Sequence, residues 1–200
     1  RYNVPRVAFI NKLDRAGSNP KRVTAQLRDK LKVNAHMVQL PIGLEEAHEG
    51  VVDLVEMKAY YNRGEDGETI EVAEIPADML EEAKAARHEL VGAAADFDDV
   101  VGEKFLMEEE VSAEELKKAI RAGTIDLKFC AVFCGSAFKN KGVQPLLDGV
   151  GDYLPSPPEI KNEGLDQDND EAPVEVLPEP DKPLVMLAFK LEDGRFGQLT

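Results

Sequence analysis

Two short runs, Val7-Ala8-Phe9-Ile10 and Phe129-Cys130-Ala131-Val132-Phe133-Cys134, are apolar at every position. A strand with one face in water alternates apolar and polar side chains, whereas a strand that is apolar throughout has both faces covered. Such strands belong to parallel sheets layered between helices, and that constrains this chain more than any other feature. After the first run, Asn19-Pro20 offers a helix cap followed by proline at the first helical position. Val23, Leu27 and Leu31 then recur at four-residue spacing among lysines and arginines. His36-Met37-Val38-Gln39-Leu40 reads as the next strand. The first forty residues therefore predict a β-α-β unit with a right-handed crossover.

The middle of the chain changes character. Val51 to Val55 and Thr69 to Val72 read as strands, with Arg63-Gly64-Glu65-Asp66-Gly67 as a turn between them, giving a small meander. Helices follow. Ala77 to about Ala95 places Leu80, Ala83, Arg87, Leu90 and Val91 on one stripe, and a second helix runs from Asp98 to Glu108. Ser112-Ala113-Glu114-Glu115 fits a capping box and opens a helix through Leu116, Ala119 and Ile120 that is expected to stop at Gly123. The apolar run 129–134 restores the covered-strand pattern, Gly135-Ser136-Ala137 makes a tight loop, and Val143 to Leu154 is helical with Pro145 in its first turn. Prolines and acids alternate from Pro155 to Pro183, which predicts a solvated linker. Leu184 to Leu191 and Arg195 to Leu199, separated by Glu192-Asp193-Gly194, read as a hairpin opening a further β domain.

Composition narrows the function classes. The chain has 200 residues, 43% hydrophobic and 32% charged, ordinary globular usage that argues against wholesale disorder. Its longest apolar runs fall far short of the ~20 residues that cross a bilayer, so no membrane partner is expected. Arg1 opens no signal-peptide pattern. Thirty-nine acids against 24 Lys and Arg give a net charge of -15, so the surface as a whole repels bare nucleic acid. Cys130 and Cys134 are no disulfide framework and fit a reducing compartment. With Arg1 at one end and Gln198-Leu199-Thr200 at the other, the sequence reads as a piece of something longer.

The chemistry concentrates in two loops. Asn11-Lys12-Leu13-Asp14 directly follows a covered strand. A carboxylate at Asp14 can accept from both N1-H and the 2-amine of guanine, Asn11 can reach the N7 and O6 side, and the Lys12 stem can lie over the ring. Adenine offers neither donor and would leave the carboxylate unpaired. Gly135-Ser136-Ala137 ends the second covered strand at the same carboxyl edge, where ligands bind in open α/β sheets. Its small residues admit a flat base, and the Ala137 N–H can donate to guanine O6. The same residue types also make plain turns; convergence of the two loops is what favours binding.

Four stretches, Asn11 to Arg15, Gln39-Leu40-Pro41-Ile42-Gly43, Gly50-Val51-Val52-Asp53-Leu54, and Gly135 to Gln144, together with Asp152-Tyr153-Leu154-Pro155-Ser156-Pro157, resemble the translation elongation factor G family in order and spacing. The resemblance implies an α/β fold: part of a P-loop GTPase-type doubly wound sheet with an α+β insert, followed by the first strands of a β-barrel domain. It assigns residues 1–43 and 128–160 to the GTP-binding domain, 44–127 to the insert, 161–182 to an acidic linker and 183–200 to the second domain. It implies GTP or GDP as ligand, held at the base by Asn11, Lys12, Asp14, Gly135, Ser136 and Ala137, with Mg2+ only in a full-length parent. It further implies a cytoplasmic, monomeric, ribosome-dependent GTPase promoting translocation of tRNA and mRNA. The insert would meet the ribosomal stalk protein, and most rRNA contacts would come from other domains. A non-enzymatic docking module, or a peptide-release, recycling or ribosomal-protection GTPase, are the alternatives.

No G-x-x-x-x-G-K-[ST] loop occurs in these 200 residues, so this stretch alone is expected not to hydrolyse GTP. Asp99-Val100-Val101-Gly102 imitates a switch motif but follows the specificity motif and lies in a helical pattern, so it reads as surface. Cys130 and Cys134 read as packing, His36, His48 and His88 as structural or solvated, and Glu108 to Glu110 as solvated charge. The basic stretch Lys21 to Lys32 reads as a solvated helix face.

Overall fold

The computed structural model describes residues 3–64, 66–195 and 197–199. Contacts divide the chain into two units, Arg1–Leu154 and Pro155–Thr200.

In the first unit, β1 (Ala8–Ile10) leads through the NKLD loop to α1 (Pro20–Leu31). The Asn19 side chain accepts from the Arg22 N–H at 2.9 Å, and Lys32 takes a left-handed conformation at the other end. The single strand expected over 36–40 is two. β2 (Ala35–Met37) lies in the parallel sheet, whereas β3 (Gln39–Ile42) pairs antiparallel with β4 (Gly50–Asp53). Val38 joins them: its N–H donates to Val132 O and its carbonyl accepts from Leu54 N–H, both at 3.0 Å. The meander is larger than expected, because β5 (Lys58–Arg63) pairs with both β4 and β6 (Thr69–Ala73). The sheet order is therefore β3-β4-β5-β6.

Three helices follow: α2 (Leu80–Ala94), α3 (Asp99–Leu106) and α4 (Ala113–Ile125). Asp98 caps α3 by accepting from the Val100 and Val101 N–H groups, and Ser112 with Glu115 forms the reciprocal box at α4. The switch-like Asp99 to Gly102 lies within α3. The stop expected at Gly123 is overridden. A Cβ there would lie 2.6 Å from Phe97 Cδ2 and 2.9 Å from Phe129 Cβ, so this glycine permits close packing rather than ending the helix. Arg87, placed on the buried stripe by its spacing, instead reaches the Leu54, Val55 and Val111 carbonyls at 2.6, 2.5 and 2.7 Å.

β7 (Cys130–Cys134) is buried at all five positions and lies between β1 and β2, parallel to both. Its alternate side chains enter two clusters. Ala131 and Phe133 join Leu54, Leu90, Leu116 and Ile120 under the helices, while Cys130, Val132 and Cys134 join Ile10, Leu13 and Ala35 on the side packed by Val23 and Leu27 of α1. Burial pushes the Cys134 thiol up to about 12, so it is an inert packing group at neutral pH. The unit closes with α5 (Val143–Tyr153). Arg121 grips the end of α5 by donating to the Asp152 and Leu154 carbonyls at 3.0 and 2.8 Å.

In the second unit, a hairpin of β8 (Asn162–Asp166) and β9 (Ala172–Val176) occupies part of the stretch expected as linker. Its side chains are mostly exposed, so backbone pairing rather than a core defines it. The terminal hairpin is displaced from its expected place. Glu192 to Gly194, expected as the turn, is itself β10 (Glu192–Gly194), paired with β11 (Gly197–Leu199). Among the described residues, Leu184 to Leu191 has no strand partner, and its large apolar side chains are exposed. Among the described residues no helix is long and apolar enough to cross a membrane.

Candidate base-recognition site

The two loops singled out by sequence meet at the carboxyl ends of β1 and β7. Backbone bonds lock them: Gly135 N–H donates to Ile10 O and Leu13 N–H to Gly135 O, both at 3.0 Å. Leu13, 1% exposed, is the apolar anchor that lets its polar neighbours face outward. Lys12 adopts φ +67°, a left-handed turn that directs the chain back toward β7, and its side chain is exposed. Gly135 is required by proximity, since a Cβ there would fall 2.1 Å from the Lys141 carbonyl oxygen.

Ser136 is fully buried, and its hydroxyl donates to Asp14 Oδ1 at 2.6 Å. That bond holds the Asp14 carboxyl below the usual carboxylate range, with the nearby Arg15 and Lys139 charges adding to the effect. Arg15 Nε stands 3.5 Å from Asp14 Oδ2. Asp14 is thus an anion at neutral pH, oriented through one oxygen, with its side chain 15% exposed. A carboxylate so held accepts hydrogen bonds and donates none. It suits a flat ligand edge carrying two N–H groups.

Asn11 Oδ1 accepts from Lys12 N–H at 2.7 Å and from Ala137 N–H at 2.9 Å. The Ala137 donor, read as available for guanine O6, is therefore engaged by Asn11, whose exposure leaves it free to turn. Ser136 and Lys141 exchange reciprocal backbone bonds at 2.9 Å, closing the 136–141 segment into a small ring, and Lys139 N–H reaches Ser136 Oγ at 3.3 Å. All six candidate residues are brought together. Sequence reasoning valued Ser136 for its size and missed its hydroxyl, for which a serine beside an unpaired loop aspartate was the available signal. It also missed Glu45, whose N–H donates to Leu13 O at 2.7 Å and whose Oε1 accepts from Gly17 N–H at 2.6 Å; nothing local marked it.

The family profile described as the elongation factor Tu GTP binding domain matches residues 1–156. Across all 200 residues the chain is 59% identical to elongation factor G 2 of Bdellovibrio bacteriovorus, spanning 28% of that protein. It is 56% identical over its whole length to the mitochondrial elongation factor G-1 of Arabidopsis thaliana, spanning 26% of it. It is 55% identical to elongation factor G 1 of Desulfotalea psychrophila, spanning 29%. A crystal structure of a protein from Thermus thermophilus superposes with a TM-score of 0.67 at 29% identity, covering 80% of this chain and 24% of that one. The chain thus spans under a third of the length of these relatives.

Proposed function

The chain belongs to the elongation factor Tu GTP-binding-domain family, and from that premise we propose that it is the guanine-recognising part of a ribosome-dependent GTPase driving tRNA and mRNA translocation. The observation that carries the reading is the Asp14 carboxylate, held anionic and oriented by Ser136 Oγ at 2.6 Å. Guanine N1-H and its 2-amine are the donors that this carboxylate takes. Asn11 turns to the N7 and O6 side, releasing the Ala137 N–H to O6, and the Lys12 stem covers the ring. Gly135 keeps the loop thin enough for the base to approach. Guanine recognition on this surface supplies selectivity. Positioning and charge neutralisation at the phosphates, by a phosphate loop and Mg2+, supply rate, and the residues for them lie outside this sequence.

In this reading residues 1–43 and 128–160 form the nucleotide domain, and 44–127 an inserted subdomain that docks on the ribosomal stalk protein and whose sheet is extended by β3, from the end of the first nucleotide-domain segment. Residues 161–182 link to a β-barrel domain that begins at 183. The protein works as a monomer in the cytoplasm or, like the Arabidopsis relative, in a mitochondrion. The match of residues 1–156 to a GTP-binding domain favours this over a non-enzymatic docking module. Asp14→Asn in the full-length factor tests it. The amide can donate to the carbonyl that xanthine carries at position 2, so GDP binding is expected to weaken and xanthosine diphosphate binding to improve, each by at least roughly 10-fold. An unchanged guanine-to-xanthine preference refutes the assignment.

A further inference from the structure

The ring that carries Ser136 and Ala137 is held from behind by a different sheet. Asn62, on β5, is 7% exposed, and every polar atom of its amide is engaged. Its Oδ1 accepts from Gly142 N–H at 3.1 Å, and its Nδ2 donates to Gly67 O at 3.1 Å and to Gln144 Oε1 at 3.2 Å. Gly142 has φ +76° and is the cap from which α5 starts. Asn62 therefore fixes the point where the loop turns into the helix.

Two further attachments join the same surfaces. Asn140 Nδ2 reaches Gly67 O at 3.4 Å, and Lys141 Nζ donates to His48 O. The fit is tight as well as bonded: a Cβ on Gly67 would lie 2.6 Å from Lys139 O and 3.1 Å from Asn140 O. Because Ser136 and Lys141 exchange both backbone bonds, a shift at 141–142 must displace Ser136, and with it the hydroxyl that orients Asp14.

We propose that Asn62 is a positioning residue for base recognition, acting through Gly142 and the 136–141 ring although it lies about fifty residues from the NKLD loop and eighty from the ring. The proposal rests on guanine recognition by Asp14. Its consequence is that the antiparallel sheet sets how firmly the carboxylate is held, and so how much the 2-amine adds to binding.

The test measures nucleotide release from the full-length factor for GDP and inosine diphosphate, which lacks only the 2-amine. Asn62→Ala removes the brace. Gly67→Ala pushes on the same loop and deletes no hydrogen-bonding side chain. Both variants are expected to release GDP about 10-fold faster and to lose several-fold of the GDP-over-IDP preference, with thermal midpoints above the assay temperature. Weakened phosphate binding or a reduced folded fraction would alter both nucleotides alike. The proposal is overturned if GDP release is unchanged, if both nucleotides are weakened by one factor, or if neither variant folds, which would make Asn62 a residue of the fold alone. Asp14→Asn is run in parallel. Failure of its xanthine switch condemns the premise, whereas a working switch with unaffected Asn62→Ala condemns only the brace.

Discussion

Alanine at Gly149 and alanine at Gly151, two positions apart on α5, are expected to move stability in opposite directions. At Gly149 an added Cβ would lie 2.1 Å from Phe133 Cζ and 2.8 Å from its Cε1. Carbon atoms settle at about 3.5 Å, so the ring or the helix must retreat by about 1.4 Å. Phe133 is 2% exposed and packs against Tyr153, with ring centroids 6.2 Å apart, so it has little freedom to turn. Overpacking of this kind costs about 1–3 kcal/mol, and the better helix propensity of alanine returns about 0.5–1 kcal/mol; with a clash as close as 2.1 Å the cost falls in the upper half of its range, leaving a net loss of about 1–2.5 kcal/mol. At Gly151 the added Cβ meets nothing within 4 Å, so only the propensity gain of about 0.5–1 kcal/mol remains. Urea unfolding followed by circular dichroism reads both, with midpoints moving down for Gly149→Ala and up for Gly151→Ala. Phe133→Leu supplies the internal control: in that background the cost of Gly149→Ala is expected to shrink by about 1 kcal/mol, a coupling that distant sites do not show. If Gly149→Ala stabilises as much as Gly151→Ala, the close approach of α5 to β7 is wrong.

Arg87→Met leaves three carbonyls without their charged donor and is expected to cost about 2–4 kcal/mol in urea unfolding. Arg87→Lys should recover less than half, because one ammonium cannot span the same three oxygens. A loss under about 0.5 kcal/mol would mean that the fork carries nothing. His36 is held neutral, its pKa lowered to about 4 by burial and by the Arg28 charge. Its Nδ1 faces Arg28 Nη2 at 3.2 Å, its Nε2 faces Asn34 Oδ1 at 2.8 Å, and its ring stacks on Phe129. Between the unfolded value of about 6.5 and 4, the unfolded chain binds a proton that the folded one refuses, so stability falls as pH drops through that window. A proton NMR titration of His36 with its midpoint near 6.5 would contradict this, and His36→Gln should flatten the slope.

Local chemistry made much of this molecule legible. Ile10 ends an apolar run just before Asn11, Asn19-Pro20 both caps and starts α1, and Ser112 with Glu115 announces α4, because each signal acts within four residues of itself. What escaped depends on distant partners. Lys58 to Arg63 carries polar residues at both ends and reads poorly as a strand, yet it is central in its sheet, and Asn62 is buried there because its partners lie at Gly142 and Gln144. Gly123 looks like a helix stop only until Phe97 and Phe129 are seen against it. The apolar run at 184–191 has the composition of a strand, but a strand also needs a neighbour, and composition does not provide one. In the candidate site, the meeting of the two loops was legible from their place after covered strands. The hydroxyl that fixes Asp14 is 122 residues from it in sequence, and its role follows only once the two loops are taken to converge.

Val38 donates to one sheet and accepts from the other, so it acts as a splice between two lattices of opposite polarity. Neighbouring strand residues face opposite ways, and adding or removing a single residue at that splice would turn β3 over, exchanging Leu40, which packs in the core beneath the helices, with the buried amide of Gln39 on the opposite face. Variation in chain length must therefore be absorbed elsewhere, and the spacing from Ala35 to Ile42 is as much a structural constant of this protein as any side chain in it.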